Sequence, residues 1–345
     1  MKTWNFGIVG SGLIADFHAK AILSLNNTKL IGICGTSLEK AKRLTNKYQC
    51  EPYDDYKEMI ANPEIDIIAI ATPSGFHLEP AVYAAKKGKH VICEKPLEIT
   101  LKRIDKMIAA HEKAGTYLGG IFNFRYNESV KVIKDAIDKG RFGKITYASV
   151  HVPWWRNEAY FENSWHGTLE MDGGGALMNQ SIHMIDMLQY LMGPVKSLQA
   201  YMATLVHDIE AEDTAAAVLK FRNKALGMIY GTTASFPGQF RRLEITGSKG
   251  TVIQVENSFK VWQFAEELEG DKEILKKYGE IEGGGGVSDP AAIQFEPHAR
   301  NIAAFIDSIE NEQPFEIDGR EARKSVELVL AIYKSAKKHK IYRFE

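Results

Sequence analysis

Near the start of the chain, Gly10-Ser11-Gly12-Leu13-Ile14-Ala15 forms a G-x-G-x-x-A turn between two patterns of different period. The run before it, NFGIVG (5–10), has the length and content of a buried strand. The stretch after it, 13–25, places Leu13, Phe17, Ile22 and Leu25 near helical spacing. In that setting each small residue has a physical task. The first glycine permits the tight turn, the second lets a pyrophosphate approach the backbone, and the alanine lets helix pack on strand. The helix N-terminus then aims amides at the anion. The alternation continues, with strand-like runs at KLIGICG (29–35), IDIIAIAT (65–72) and HVICE (90–94) and helical patterns at 37–48, 54–61 and 76–87. Strands rich in Ile and Val alternating with helices predict a parallel sheet covered on both faces. We therefore expect an α/β dinucleotide-binding Rossmann domain over residues 1–124.

The end of the second strand bears on which dinucleotide is bound. An acid about 20 residues past the glycines ordinarily takes the ribose 2′-hydroxyl of NAD. Here the chain reads Ile33-Cys34-Gly35-Thr36-Ser37-Leu38-Glu39-Lys40, with Arg43 a turn further on. Gly35 stands at the acid's place, and Thr36, Ser37 and Lys40 would accept a 2′-phosphate at a helix N-terminus. This set favours NADP(H) over NAD(H). Against it, Glu39 can swing in, and Lys40 and Arg43 also suit a solvated helix face.

After TYLGGIFNFRYN (116–127) the pattern changes. A helix is expected at 128–139, then longer alternating strands joined by turns such as Arg222-Asn223-Lys224 and Gly247-Ser248-Lys249-Gly250. Residues 125–345 thus read as an α+β domain with a large, mainly antiparallel open sheet. Helices near 294–311 and 319–338 close the chain, and EGGGGVSDP (282–290) reads as a mobile loop.

Within that half, Asp172 and Gly173-Gly174-Gly175 precede a helix expected at about 176–192 and stopped by Gly193-Pro194. On it Asn179, His183 and Asp186 share one face, beside an apolar stripe of Ile182, Ile185, Leu188 and Leu191. A histidine hydrogen-bonded to Asp186 at a domain edge is the plain structural alternative. A metal site is not expected, because these residues give at most three mixed ligands at unsuitable spacing. A general acid–base histidine fits once a nicotinamide is nearby, since hydride loss from a carbinol needs a proton acceptor. Trp154, Trp155, Tyr160 and Trp165 with Arg156 are either a surface for a sugar ring or uracil and an anion, or core and interface packing.

Composition excludes several other classes. Lys and Arg number 43 against 44 Asp and Glu in 345 residues, so no net field recruits nucleic acid or an anionic membrane. Cys34, Cys50 and Cys93 form no C-x-x-C pair and suit reduced thiols. No leader-like segment opens the chain and no run is long and apolar enough to span a bilayer, so a cytoplasmic protein is expected.

Taken in order, Gly10-x-Gly12 with His18, Thr72-Pro73-x-x-x-His77, Glu94-Lys95-Pro96, and Gly173-Gly174-Gly175 leading to His183 resemble the glucose–fructose oxidoreductase/inositol dehydrogenase/MocA (Gfo/Idh/MocA) family over the whole length. The resemblance implies that Lys95 lies beside the nicotinamide and the reacting hydroxyl, with Pro96, often cis, fixing the bend that aims it. It implies that Gly10, Gly12, Leu13, Ile14, Thr72, Pro73, Ser74, His77, Glu94 and Asn123 flank the cofactor. Arg125 and Tyr126 are implied at the meeting of the domains, on the substrate side with Trp154, Arg156, Trp165, Asn179 and His183. Two positions depart from the family pattern. Asn179 replaces a frequent aspartate, which leaves Lys95 and His183 as the acid–base groups. WHG at 165–167 replaces a frequent WRG. The GGGALMNQSIH wording resembles the branch that oxidises nucleotide-linked sugars, so a sugar or sugar-nucleotide substrate is expected, with a homodimer or homotetramer as the assembly. A non-catalytic dinucleotide- and sugar-binding regulator, an inositol or free-sugar dehydrogenase, and a nicotinamide-dependent glycosidase stay open as alternatives.

Overall fold

The short, mainly apolar runs of the first third become a six-stranded parallel sheet. Its strands are β1 (Trp4–Val9), β2 (Thr28–Cys34), β3 (Glu51–Tyr53), β4 (Ile67–Ile70), β5 (His90–Cys93) and β6 (Leu118–Gly120), in the order β3-β2-β1-β4-β5-β6. Every pairing is parallel. β4 shows why its sequence is continuously apolar: Ile67, Ile68, Ala69 and Ile70 are all fully buried, as a central strand covered on both faces must be. The connecting helices are α1 (Leu13–Leu23), α2 (Leu38–Tyr48), α3 (Tyr56–Ala61), α4 (Leu78–Lys86) and α5 (Leu101–Ala114). Their ends follow local chemistry. Ser37, Asp55 and Thr100 each accept an amide hydrogen bond at a helix N-terminus, and Gly115 closes α5 in the left-handed conformation.

The computed structural model describes residues 2–162, 164–280 and 295–345, so the 282–290 stretch lies outside them. The chain divides into two compact units. The first comprises Met1–Asn123, Glu170–Gly173 and Gln294–Val326, and the second Phe124–Leu169, Gly174–Ile293 and Glu327–Glu345.

The second unit holds α6 (Glu128–Asp138), β7 (Ile145–Pro153), α7 (Ile182–Met192), β8 (Val195–Ala203), β9 (Thr214–Phe221), β10 (Leu226–Thr232), β11 (Arg242–Gly247), β12 (Gly250–Val255), β13 (Ser258–Phe264) and α8 (Gly270–Tyr278). Two helices follow, α9 (Glu296–Glu310) in the first unit and α10 (Gly319–Lys338), and then β14 (Tyr342–Arg343). The eight strands run in the order β13-β12-β11-β7-β10-β9-β8-β14. All neighbours are antiparallel except β7 and β10, which pair in parallel across Tyr147–Pro153 and Leu226–Thr232. The sheet has an inner and an outer face. On β9, Ala215, Ala217, Leu219 and Phe221 are buried, while Val218 between them is 62% exposed.

Candidate active site

In the first unit the cofactor residues gather at the C-terminal ends of β1 and β4. These strands are neighbours, and the strand order reverses there, which is where open α/β sheets bind ligands. Gly10 has φ +124°, and a Cβ on it would lie 2.4 Å from the carbonyl oxygen of Ala71. A side chain is excluded by conformation and by space. Gly12 differs. It precedes α1 with extended backbone, and among the described residues nothing beyond its chain neighbours lies within 4 Å of where its Cβ would be. That opening, beside the exposed Leu13 and Ile14, suits close approach of a pyrophosphate to the backbone and the α1 amides. Thr72 Oγ1 and Asn123 Oδ1 are buried polar atoms with no hydrogen-bond partner among the described residues. Both observations fit a dinucleotide.

Around Gly35 the fit is tighter than the sequence suggests. A Cβ there would lie 2.9 Å from Ser11 Oγ and 3.0 Å from the Ala41 amide nitrogen. Ser37 Oγ accepts from the Lys40 amide as the N-cap of α2, and Arg43 Nη2 donates to Ser11 O at 3.1 Å. Two of the residues considered for a 2′-phosphate thus shape the turn itself, while Thr36 and Lys40 are exposed.

At the end of β5, the Lys95–Pro96 peptide bond is cis. Glu94 before it is buried between two histidines, with His18 Nε2 at 2.8 Å and His298 Nε2 at 3.4 Å from Oε1. Burial alone would raise the Glu94 carboxyl, but hydrogen bonds from His18 and His298 hold it well below the usual carboxylate range. Its other oxygen accepts the Lys95 amide at 3.2 Å, so the backbone of Lys95 is tied from one side. His298 continues the network, its Nδ1 lying 3.0 Å from Asn123 Nδ2. His77 ties the loop from the other side. Its Nε2 lies 3.0 Å from Thr72 O, and its Nδ1 lies 3.1 Å and 3.3 Å from the oxygens of Pro96 and Leu97. His77 is fully buried, which lowers its pKa, and a neutral ring has one N–H, so it donates either to Thr72 O or to the Pro96 and Leu97 oxygens while packing between the ends of β4 and β5. Pro73 and Ser74 lead into the short 3₁₀ turn Ser74–Phe76 before it.

In the second unit the expected helix at 176–192 has two parts. Ala176–Ser181 is a π-helical turn, and the α-helix α7 begins only at Ile182. Asn179 therefore lies in the wider turn, while His183 and Asp186 stand three apart on α7. Asn179 Nδ2 lies 3.3 Å from His166 Nδ1, and His166 stacks on Tyr160 at 4.3 Å and packs against Trp165 at 4.0 Å. Gln180 donates to the Tyr160 hydroxyl at 3.1 Å. His183 stacks on Phe124 with centroids 4.6 Å apart, and the Arg241 guanidinium covers the same Phe124 ring at 3.8 Å.

Asp186 accepts two parallel bonds from Arg125, Nε to Oδ2 at 2.7 Å and Nη2 to Oδ1 at 2.6 Å, and both side chains are buried. Asp186 thus binds a buried arginine and fixes it in place. Tyr126 is buried too. Arg156 lies over Trp154 and Tyr160 at 5.0 Å and 5.5 Å and donates to Trp155 O at 2.9 Å. The aromatic residues and Arg156 thus form one packed group with His166 and Asn179.

Burial pushes the Cys34 thiol up to about 12 and the Cys50 thiol up to about 11, so neither is a thiolate nucleophile at neutral pH. Among the described residues no three His, Cys, Asp or Glu side chains are grouped as a metal site would need.

Two family models match the chain: an oxidoreductase family with NAD-binding Rossmann fold over residues 4–120, and a GFO/IDH/MocA C-terminal domain over residues 130–253. The myo-inositol 2-dehydrogenase of Thermotoga maritima is 26% identical over 99% of this chain and 98% of its own. The uncharacterised oxidoreductase YrbE of Bacillus subtilis is 32% identical over 71% of this chain and 72% of its own. The crystal structure of the WlbA dehydrogenase from Bordetella pertussis, in complex with NADH and UDP-GlcNAcA, superposes with a TM-score of 0.90 at 33% identity, covering 100% of this chain and 98% of that one. With its Gly10–Gly12 turn, its Glu94-Lys95-Pro96 strand end and its mixed eight-stranded sheet, the chain belongs to the Gfo/Idh/MocA family of NAD-binding oxidoreductases.

Proposed function

We propose that this protein oxidises a secondary carbinol of a nucleotide-linked sugar, with Lys95 and His183 as the acid–base pair. The observation that carries the substrate class is the full-length similarity to a dehydrogenase crystallised with NADH and UDP-GlcNAcA. A nicotinamide held at the Gly10–Gly12 turn would supply the hydride acceptor. The protein's part is the proton. As the carbinol C–H pair leaves as hydride, the O–H bond breaks and its proton passes to a nitrogen of Lys95 or His183, leaving the carbonyl. Asn179 orients the substrate by its amide and takes no proton, consistent with its hydrogen bond to His166. Glu94 holds the Lys95 amide and His77 lies against the Pro96 oxygen beside it, so the Lys95 side chain starts from a fixed point. Arg156 with Trp154, and Trp165 with His166, supply an anion-binding and stacking group for the nucleotide-linked part.

NAD(H) is the cofactor class of the family, and a preference for NADP(H) is the finer part of this reading. Gly35 in place of the acid and the exposed Thr36 and Lys40 support it, whereas the WlbA neighbour was crystallised with NADH. Titrating the protein with NADPH and NADH by nicotinamide fluorescence separates the two, with tighter NADPH binding expected. A substitution at Gly35 is a poor test, because its Cβ would crowd Ser11 and Ala41. Tighter NADH binding would leave the proton chemistry standing and remove the 2′-phosphate reading. Assembly as a homodimer or homotetramer belongs to the same reading. The outer sheet face supports it, with Tyr201, Val218 and Leu226 exposed at 70%, 62% and 54%.

A second reading, oxidation of a free cyclitol or sugar, has the full-length similarity to the myo-inositol enzyme in its favour. Faster turnover of myo-inositol than of any sugar nucleotide would establish it.

A further inference from the structure

The glycines ahead of α7 are shaped around one buried carboxylate. Gly175 N donates to Glu212 Oε2 at 3.0 Å, and Leu177 N donates to Oε1 at 2.8 Å. Ala176 N donates to the main-chain oxygen of the same residue at 3.0 Å. Glu212 therefore takes three successive amides at the start of the π turn, where a helix leaves its N–H groups without partners. A fourth donor, the Tyr333 hydroxyl from α10, reaches Oε1 at 2.8 Å. The small residues make this possible. A Cβ on Gly175 would lie 1.9 Å from Glu212 O, and one on Gly174 would lie 2.2 Å from the Tyr333 hydroxyl. The turn so anchored leads directly to Asn179, whose amide donates to Gly175 O at 3.0 Å, and then to His183.

We propose that Glu212, held by Tyr333, is a positioning residue for the reaction: it clamps the first turn of the helix and so sets where Asn179 and His183 stand. The proposal rests on the roles given to those two residues above. It carries a pH dependence. Burial raises the Glu212 carboxyl to about 6, against the pull of its amide and Tyr333 bonds. The ionised form accepts all three side-chain bonds. Protonation places an O–H on an oxygen that already faces an N–H or O–H donor, so the clamp loosens as pH falls through about 6. Two ionisable groups stand around it. Tyr333 is kept a phenol by burial and the neighbouring carboxylate. Asp213, next in the chain, turns its carboxylate to the amides of Leu205, Val206 and His207.

The test is amide hydrogen exchange across residues 175–177 in the full-length protein, corrected for intrinsic rates, together with the pH profile of kcat. In the wild type, protection is expected to fall about tenfold as a hydrogen bond to a charged group is lost below the carboxyl's pKa. Glu212→Gln is expected to be poorly protected at every pH, with kcat down about tenfold, cofactor affinity unchanged and the acid limb gone. Tyr333→Phe removes a donor to the charged form and is expected to move the exchange midpoint upward. PH-independent protection in the wild type, or a Glu212→Gln enzyme with normal kcat and its acid limb intact, would overturn the proposal. If Glu212→Gln does not fold, an unmoved midpoint in Tyr333→Phe overturns it instead. The exchange measurement needs no substrate, so it stands or falls separately from the sugar-oxidation reading.

Discussion

Asp186 and Arg125 face each other as a bidentate ion pair, their side chains 1% and 4% exposed. Neutralising Asp186 takes the bidentate carboxylate away from a buried guanidinium. Asp186→Asn is therefore expected to cost about 3–5 kcal/mol of stability. The midpoint of urea unfolding checks this, and an unmoved midpoint would contradict it. The pair also shows what a sequence hides at this scale. Asp186 is legible as a polar position on a helix, but its partner stands 61 residues away and nothing local points to it. The same holds for His298 beside Glu94 and for Glu212 beneath Gly175, which no spacing rule connects. The turn at Gly10 and Gly12 was legible because its place between a strand and a helix is set by residues next to it in the chain.

Gly10 and Gly12 separate two functions of one turn. At Gly10 both conformation and the Ala71 carbonyl exclude a side chain, whereas at Gly12 the space for a Cβ is open. Gly10→Ala is expected to lower the melting temperature. Gly12→Ala is expected to leave it unchanged while weakening dinucleotide binding about tenfold or more, as bulk enters the path of a pyrophosphate. Parallel melting and fluorescence titration of the two variants check this, and equal effects on both measurements would contradict it. Long elements followed their periodicity, with α10 spanning Gly319–Lys338 and α6 spanning Glu128–Asp138. The three-residue strands β3 and β6 did not, since three residues hold too little of a period-two pattern to read. The π turn was hidden for a related reason: its side-chain types also suit an α-helix, and the Glu212 carboxylate at its start lies 35 residues or more away in the chain.

Across the whole molecule, the six-stranded parallel sheet followed from alternating strand and helix patterns, because βαβ connections leave few other arrangements. The second sheet was legible as antiparallel from its short turns. The parallel pairing of β7 with β10 was not, because it joins strands separated by α7, β8 and β9. Glu212, on the connection leading into β9, accepts amides from the turn that precedes the helix carrying His183. In the proposed reaction Lys95 handles the proton, with His183, while hydride leaves a sugar-nucleotide carbinol. The most direct measurement is a single-turnover reaction at 340 nm with NAD(P)⁺ and UDP-GlcNAcA, run side by side on the wild type and Lys95→Met. Reduced nicotinamide is expected to form in the wild type and to form about 10²–10⁴-fold more slowly in the variant, with cofactor affinity retained. Equal rates in the two proteins would contradict it.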